Sequence, residues 1–266
     1  MNTTPTPTKT TISSPLLSTL KKFYKTSGRT HLPWRQTRDP YKILVSEVML
    51  QQTQVDRVIP YYERWIKKYP TAKCLAKANL VDVLTMWQGL GYNRRAKYLW
   101  ESAKRLAVTE CVKKGEMNTT PTPFFTHSGQ PVVEFFESLP GVGHYTARAI
   151  AAFAYNSPEV FVETNIRTVF FHHDTSHRKM SDAQLLPLVA EALKKSKMQP
   201  RDFYAALMDY GSYLKKSGVK LNSRSKHYTK QSKFEGSRRQ KNAAKLRELL
   251  KRGAGEEAIL RVLNKK

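Results

Sequence analysis

Apolar residues return at three- and four-residue intervals along most of this 266-residue chain, so the pattern predicts helices rather than strands. Leu16, Leu17, Leu20, Phe23 and Tyr24 mark a short amphipathic helix from Pro15 that stops before Gly28. A second is expected over 41–59, with Ile43, Leu44, Val48, Leu50, Val55 and Val58 on a broad apolar side. Further helices are expected over 75–86, 93–107, 185–193 and 203–214, and one opens directly from a turn at 139–143. Beyond Lys215 the periodicity fades until Ala243, and a helical hairpin over about 237–251 and 256–263 closes the pattern. The class expected is all-α, and the length allows one sizeable core or two small ones.

The breaks in the pattern are of two kinds. Residues 1–14 are Thr/Pro-rich and are expected to be disordered, and 111–131 reads as an inserted polar loop. The heptapeptide MNTTPTP at 1–7 reappears at 117–123, which has no physical account beyond linker composition. The other breaks are glycine turns. In Leu139-Pro140-Gly141-Val142-Gly143 the two glycines permit positive φ and leave only backbone over the turn. The helix that follows presents first-turn N–H groups without intrahelical partners, which suits an anion such as phosphate. A plain structural corner is an equally good reading of that motif alone. Gly89-Leu90-Gly91-Tyr92 repeats the design, with Arg94, Arg95 and Lys97 after it. A tyrosine at such a tip either packs or wedges into a base stack while the cations hold phosphates.

Charge changes the balance between these readings. Lys and Arg number 46 against 21 Asp and Glu, a formal net charge of +25, with a pI near 10.1. Such an excess points to a polyanion, of which nucleic acid is the commonest. No apolar run reaches the length of a membrane span, and the first residues lack the apolar stretch of a signal peptide. Cys74 and Cys111, the only cysteines, argue against a disulfide framework and suit a reducing cytosol. Between 215 and 245 the cations face Glu235 alone, and Tyr228 and Phe234 interleave with them, which favours a nucleic-acid surface over a solvated tail.

Two carboxylates stand out. Glu47, in Ser46-Glu47-Val48-Met49-Leu50-Gln51-Gln52-Thr53, has apolar neighbours that would disfavour its charged form and fit it to donate a proton near neutrality. A glutamate on a solvent-facing side of the helix is the plainer alternative. Gln51 and Gln52 are long neutral amides suited to hydrogen-bonding bases. Glu163 sits at a turn or helix entry beside Thr164 and Asn165, residue types that cap helices. His172, His173 and His177 with Asp174 have no spacing of a metal site and read as surface polar residues, so no metal is expected. Trp34 and Arg35, in Leu32-Pro33-Trp34-Arg35, pair an aromatic with a cation in a loop.

Together these motifs resemble the helix-hairpin-helix base-excision DNA glycosylases, and most of all their MutY-type A/G mismatch adenine branch, from Leu32 to about Leu214. The stretches carrying the resemblance are Leu32-Pro33-Trp34-Arg35, 46–55 with its glutamate and paired glutamines, Gly89-Leu90-Gly91-Tyr92, 139–143, Asn165 with its flanks, and Ala206-Leu207-Met208-Asp209-Tyr210-Gly211. The resemblance implies a two-lobed all-α fold with the active site in the cleft between lobes. One lobe would combine 15–36 with 149–225, a six-helix lobe would span 37–148, and a basic extension would cover 226–266.

The resemblance also implies a reaction. Bent double-stranded DNA containing a mismatch would be wedged by Gln51 or Gln52 and by Tyr92, and adenine flipped out, protonated at N7 by Glu47 and released. Glu163, with Asn165, would stabilise the cationic sugar, or trap it briefly, before water adds at C1′. Gly141, Val142, Gly143, Arg94, Arg95 and Arg167 would contact DNA, and Trp34, Arg35, Leu50 and Tyr145 would line the base pocket. Bifunctional relatives carry a lysine where this chain has Tyr145, so a monofunctional enzyme leaving an abasic site is expected. The family's second carboxylate is aspartate, and here it is Glu163. The four cysteines of the family's iron–sulfur cluster are absent, so no cluster is expected and 215–240 would take its place. A counterpart of the family's 8-oxoguanine-reading domain is not expected after the basic tail, and removal of adenine opposite 8-oxoguanine is left open beside G:A. A monovalent ion at the hairpin is left open, and a monomer in the cytoplasm, associated with the nucleoid, is expected. The rival readings are a G:T or G:U glycosylase on the same scaffold and a non-catalytic DNA-binding protein.

Overall fold

The computed structural model describes residues 14–115, 130–226, 228 and 233–264, and among them thirteen α-helices and no strand form. The expected disorder over 1–14 and both copies of the repeated heptapeptide lie outside the described residues, Ser14 excepted, as does most of the expected 111–131 loop. No helix of the described residues is long and apolar enough to cross a membrane.

Contacts divide the chain into two units. The first joins the chain up to Arg29 to Pro158–Thr229, and the second joins Thr30–Ser157 to Lys230–Lys266. These bounds differ from the lobes read from sequence at 36/37 and 148/149. The helix after the hairpin stays whole within the second unit, because its small residues pack against that unit's core. The C-terminal extension divides as well, its helices belonging to the second unit.

In the first unit, α1 (Ser14–Ser27), α9 (Thr164–His173), α10 (Asp182–Ser196) and α11 (Pro200–Lys216) pack around Leu20, Ile166, Val169, Phe203 and Leu207, all buried. Gly211 lets α9 and α11 close up: a Cβ there would lie 2.3 Å from the Asn165 carbonyl oxygen. Arg29 fixes the end of α1 by donating Nε and its backbone N–H to the buried Asp209, both at 2.8 Å.

In the second unit, Asp39 caps α2 (Pro40–Leu50) by accepting from Tyr41 N at 2.9 Å, and Pro40 opens the helix where its missing N–H is not needed. The single helix expected over 41–59 is two: α2 ends at Leu50, Gln52 takes φ +54°, and α3 (Val55–Lys68) starts afresh. The helix expected over 75–86 also divides, into α4 (Ala72–Ala76) and α5 (Leu80–Trp87), because the Asn79 side chain accepts from Val81 N at 2.7 Å and begins a new helix. α6 (Arg94–Gly115) runs past the expected end at 107 through Cys111, so the start expected for an inserted loop at 111 is helical instead. α7 (Gln130–Glu137) then leads to the turn and α8 (His144–Tyr155). Ala147, Ala149, Ala151 and Ala152 are fully buried, and these small side chains let α8 lie close to α2 and α7. Trp65 and Trp87 meet edge to face at 5.4 Å in the same core. α12 (Arg238–Lys251) and α13 (Glu256–Asn264) form the expected C-terminal hairpin.

Candidate active site and nucleic-acid interface

Glu47 lies in the middle of α2, 7 % exposed, with Val45, Val48 and Met49 buried around it. The solvent-face reading of this glutamate is therefore wrong. Tyr145, in the first turn of α8, donates its hydroxyl to Glu47 Oε2 at 3.1 Å. The pairing follows from two placements. Gly143 caps α8, which sets Tyr145 at the second residue of the helix, and α2 packs against α8 with Glu47 on it.

Immediately after α2, Gln51 and Gln52 occupy the turn to α3, half-buried and exposed respectively, rather than the helical face expected for them. Arg95 holds that turn. Its Nη1 donates to the carbonyls of Val48, Met49 and Gln51 at 2.8, 2.9 and 2.6 Å, and its Nη2 to Thr53 Oγ1 and the Gly91 carbonyl at 3.2 and 3.1 Å. The guanidinium is buried and its pKa is pushed down to about 10 by that burial, so it stays charged at neutral pH and caps the negative end of α2. Arg95 was expected to contact DNA. It is instead a strut joining the Gln51–Gln52 turn to the Gly89–Tyr92 turn.

That second turn depends on Gly89 and Gly91 at φ +98° and +76°, and Tyr92 follows at +49° with 36 % of its surface exposed. Tyr92 is thus presented rather than packed away, as a wedge requires. Arg94, the neighbouring cation, donates to the Leu263 carbonyl on α13. Arg239 on α12 donates to the Tyr92 hydroxyl, its guanidinium carbon 5.5 Å from the ring centroid. Sequence reasoning did not single out Arg239, because nothing in the dense cationic run distinguishes it from its neighbours.

At the hairpin, only one of the two glycines has the positive φ expected of both. Gly141 lies at +74°, and a Cβ there would come within 2.7 Å of the Tyr98 ring. Gly143 is the extended N-cap of α8 at φ −94°, where an added Cβ meets nothing within 4 Å. Val142, expected to touch DNA, buries its side chain and spends its N–H on the Leu139 carbonyl at 3.1 Å. Donation within α8 starts at Ala147 N to the Gly143 carbonyl, so the N–H groups ahead of it face outward from the helix end.

Of the expected base-pocket residues, Trp34 is core, 7 % exposed and 5.4 Å edge-on to Tyr62. Arg35 lies over the Phe153 ring at 5.0 Å, and Leu50 is half-buried at the end of α2.

In the first unit, Glu163 is itself the N-cap of α9, not a neighbour of the cap. Its Oε1 accepts from Asn165 N at 2.7 Å and Ile166 N at 3.0 Å, and its Oε2 from Asn165 Nδ2 at 3.2 Å. Burial raises the Glu163 pKa, outweighing those donors and the nearby Lys215 ammonium, which all lower it. Burial likewise lowers the Lys215 pKa, although Glu163 opposes that shift. Arg167, expected on DNA, makes a two-pronged pair with Asp182 at 2.7 and 2.6 Å that ties α9 to the start of α10. Asp174 is likewise taken, by Arg224 at 2.5 Å, and His173 meets the Tyr210 hydroxyl at 3.3 Å. Among the described residues no group of His, Cys, Asp and Glu is disposed to hold a metal ion. Cys74 is exposed on α4 and Cys111 lies in α6, and two thiols do not fit a cluster that needs four.

Comparison with known proteins gives these features a family. The adenine DNA glycosylase of Mycolicibacterium smegmatis is 39 % identical over 189 residues, which cover 70 % of this chain and 58 % of that protein. The adenine DNA glycosylase of Mycobacterium tuberculosis is 41 % identical over 151 residues, covering 56 % and 44 %, and that of Homo sapiens 35 % over 194, covering 68 % and 32 %. The chain thus spans about half the length of the curated relatives it matches. A thermostable thymine-DNA glycosylase shares the fold with TM-score 0.58 and 23 % identity, over 79 % of this chain and 93 % of that one. Endonuclease III in a trapped covalent DNA intermediate does so at 0.53 and 19 %, over 75 % and 84 %. The family described as "HhH-GPD superfamily base excision DNA repair protein" matches residues 45–195, so the chain belongs to the HhH-GPD superfamily of base excision DNA repair proteins.

Proposed function

We propose that this protein is a monofunctional DNA N-glycosylase that removes adenine mispaired with guanine, in double-stranded DNA, and leaves an abasic site. The observation that carries the reading is the buried Glu47 with its Tyr145 hydrogen bond. With Oε2 accepting from Tyr145, Glu47 in its acid form is the group that donates a proton to N7 of the base. Once the proton has moved, the same tyrosine hydroxyl bonds a carboxylate, and charge-assisted hydrogen bonds are about twice as strong as neutral ones. The contact therefore strengthens along the reaction, which is what lowers a barrier. Protonated adenine is the better leaving group, and the C1′–N9 bond breaks to leave a cationic sugar.

Glu163 supplies the negative charge that stabilises that sugar before water adds at C1′. Its carboxylate oxygens are fixed by the α9 N–H groups and Asn165, so it needs little reorganisation as charge develops. Tyr145 carries no amine, so no Schiff base with the sugar forms there, and the strand stays intact. Gly143 supports DNA as the ligand: no atom of the protein occupies the space a side chain would fill, and a phosphate approaching the α8 N–H groups needs that space. Adenine specificity is supported by the similarity to adenine DNA glycosylases. With only two cysteines in the chain, catalysis is assigned without an iron–sulfur cluster.

Single-turnover base release from end-labelled duplexes carrying G:A, 8-oxoG:A, G:T or G:U tests this, with alkali added to cut abasic sites. Adenine release from G:A, strand breakage only after alkali, and a silent Glu47→Gln variant are expected. Release from G:T or G:U alone reassigns the substrate. Duplex binding without any release overturns the enzyme reading.

A further inference from the structure

The C-terminal helical hairpin is docked beside the exposed tyrosine tip within its unit. Leu246, Ile259, Val262 and Leu263 are buried between α12, α13 and their support. Arg94 donates to the Leu263 carbonyl, Lys97 Nζ to Asn264 Oδ1 at 3.1 Å, and Arg239 to the Tyr92 hydroxyl. One side of α12 is thereby committed, and a different side faces solvent.

Positions 238, 241 and 245 follow one another at helical spacings of three and four, so they form one stripe along that outer side. Their occupants, Arg238, Lys241 and Lys245, are all exposed, and Lys233 is exposed just before the helix. The one acid on α12, Glu248, pairs with Arg252 at 2.6 Å. Like charges one turn apart destabilise a helix. Lys241 and Lys245 stand one turn apart and exposed, and such a pair is suited to a ligand that supplies regularly spaced negative charge.

We propose that this stripe is a further DNA-backbone contact, taking phosphates next to the point where Tyr92 enters the duplex. The proposal rests on the reading of duplex DNA as the ligand, and not on any chemistry at Glu47. Arg239 then has a positioning part, since it ties the stripe to the tyrosine.

The test is the salt dependence of binding by the full chain to a G:A duplex, read by fluorescence anisotropy over a potassium chloride series. Wild type is compared with Lys241→Gln/Lys245→Gln and with Lys73→Gln/Lys77→Gln, which removes the same two charges from exposed positions on and beside α4. Glutamine and lysine have similar helix propensity, so both variants fold, and thermal midpoints check it. Loss of two phosphate contacts lowers the slope of log K against log salt by about 2 in the α12 variant, and the α4 variant keeps the wild-type slope. Equal slopes for wild type and the α12 variant overturn the proposal, as does an equal fall in both variants. If either occurs while wild type still releases adenine, this inference fails alone. A wild-type chain that binds no duplex overturns this inference and the glycosylase reading together.

Discussion

The guanidinium of Arg95 donates to the carbonyl of Gln51 at 2.6 Å, across 44 residues of sequence. The bond joins the turn that carries the two glutamines to the helix that follows the Tyr92 turn, so the two candidate wedges share one support. Replacing Arg95 by methionine leaves several buried carbonyls without donors, at about 1–3 kcal/mol for each that water does not reach. Urea unfolding of Arg95→Met is expected to show a loss of about 3 kcal/mol or more. A loss below about 1 kcal/mol would mean that the strut is not supporting the turns.

The Glu47–Tyr145 contact makes a different prediction, for rate rather than stability. Hydrogen bonds to charged groups contribute about 1.5–3 kcal/mol, about half of it gained only once the carboxylate has formed, so Tyr145→Phe should slow single-turnover base release by about three- to twelvefold. Glu47→Gln should abolish release. Unchanged release by Tyr145→Phe, measured at saturating enzyme, would show that the tyrosine only packs.

How much of this was legible in the sequence differs from residue to residue. Helical class, the hairpin at 139–143 and Glu47 were readable because each is a local signal: apolar spacing, a Pro-Gly turn, a carboxyl in an apolar run. Arg95 was not, because Arg94 and Arg95 are the same residue type side by side, and only tertiary structure decides which one turns inward to α2. The break after Leu50 escaped for a related reason. The residues 51–54 carry neither glycine nor proline, and Gln52 takes φ +54° between Gln51 and Thr53, both bonded to Arg95 from distant sequence. Glu163 was found, but its part as the N-cap was assigned to its neighbours, since glutamate is an uncommon cap and its longer side chain must fold back to reach the α9 N–H groups.

Gly141 and Gly143 should respond oppositely to alanine. Gly141→Ala forces a Cβ to within 2.7 Å of the Tyr98 ring at a positive φ, a strain of about 1–3 kcal/mol that lowers the thermal midpoint. Gly143→Ala meets no protein atom within 4 Å at an ordinary φ, so stability should hold while affinity for duplex DNA falls. The pair is checked by thermal unfolding and DNA titration side by side. Wild-type affinity in Gly143→Ala would remove the hairpin from the DNA contact.

Glu163 carries a pH dependence whose sign is set by its raised pKa. Burial lifts the folded value above the ordinary 4.5, so the ionised carboxylate is disfavoured in the folded protein. Its contribution to stability is then fully present below the unfolded value and is lost as pH rises from 4.5 through the folded value. Glutamine at this position is neutral at every pH. Its amide oxygen can still accept from Asn165 N and Ile166 N, which both donate to Oε1 in the native protein. Its NH2 group can donate to the Asn165 amide oxygen, buried now without a hydrogen-bond donor, once that amide turns over. Urea unfolding of Glu163→Gln and wild type should therefore give free energies that diverge in favour of the variant as pH rises from about 4 to 8. A difference that stays constant, or grows in favour of wild type, would show that the ionised carboxylate is the form the α9 cap stabilises. The same variant should be slow in base release throughout that range, since it has no negative charge to place against the sugar, and the opposed movements of stability and rate would mark Glu163 as a residue strained for its chemistry.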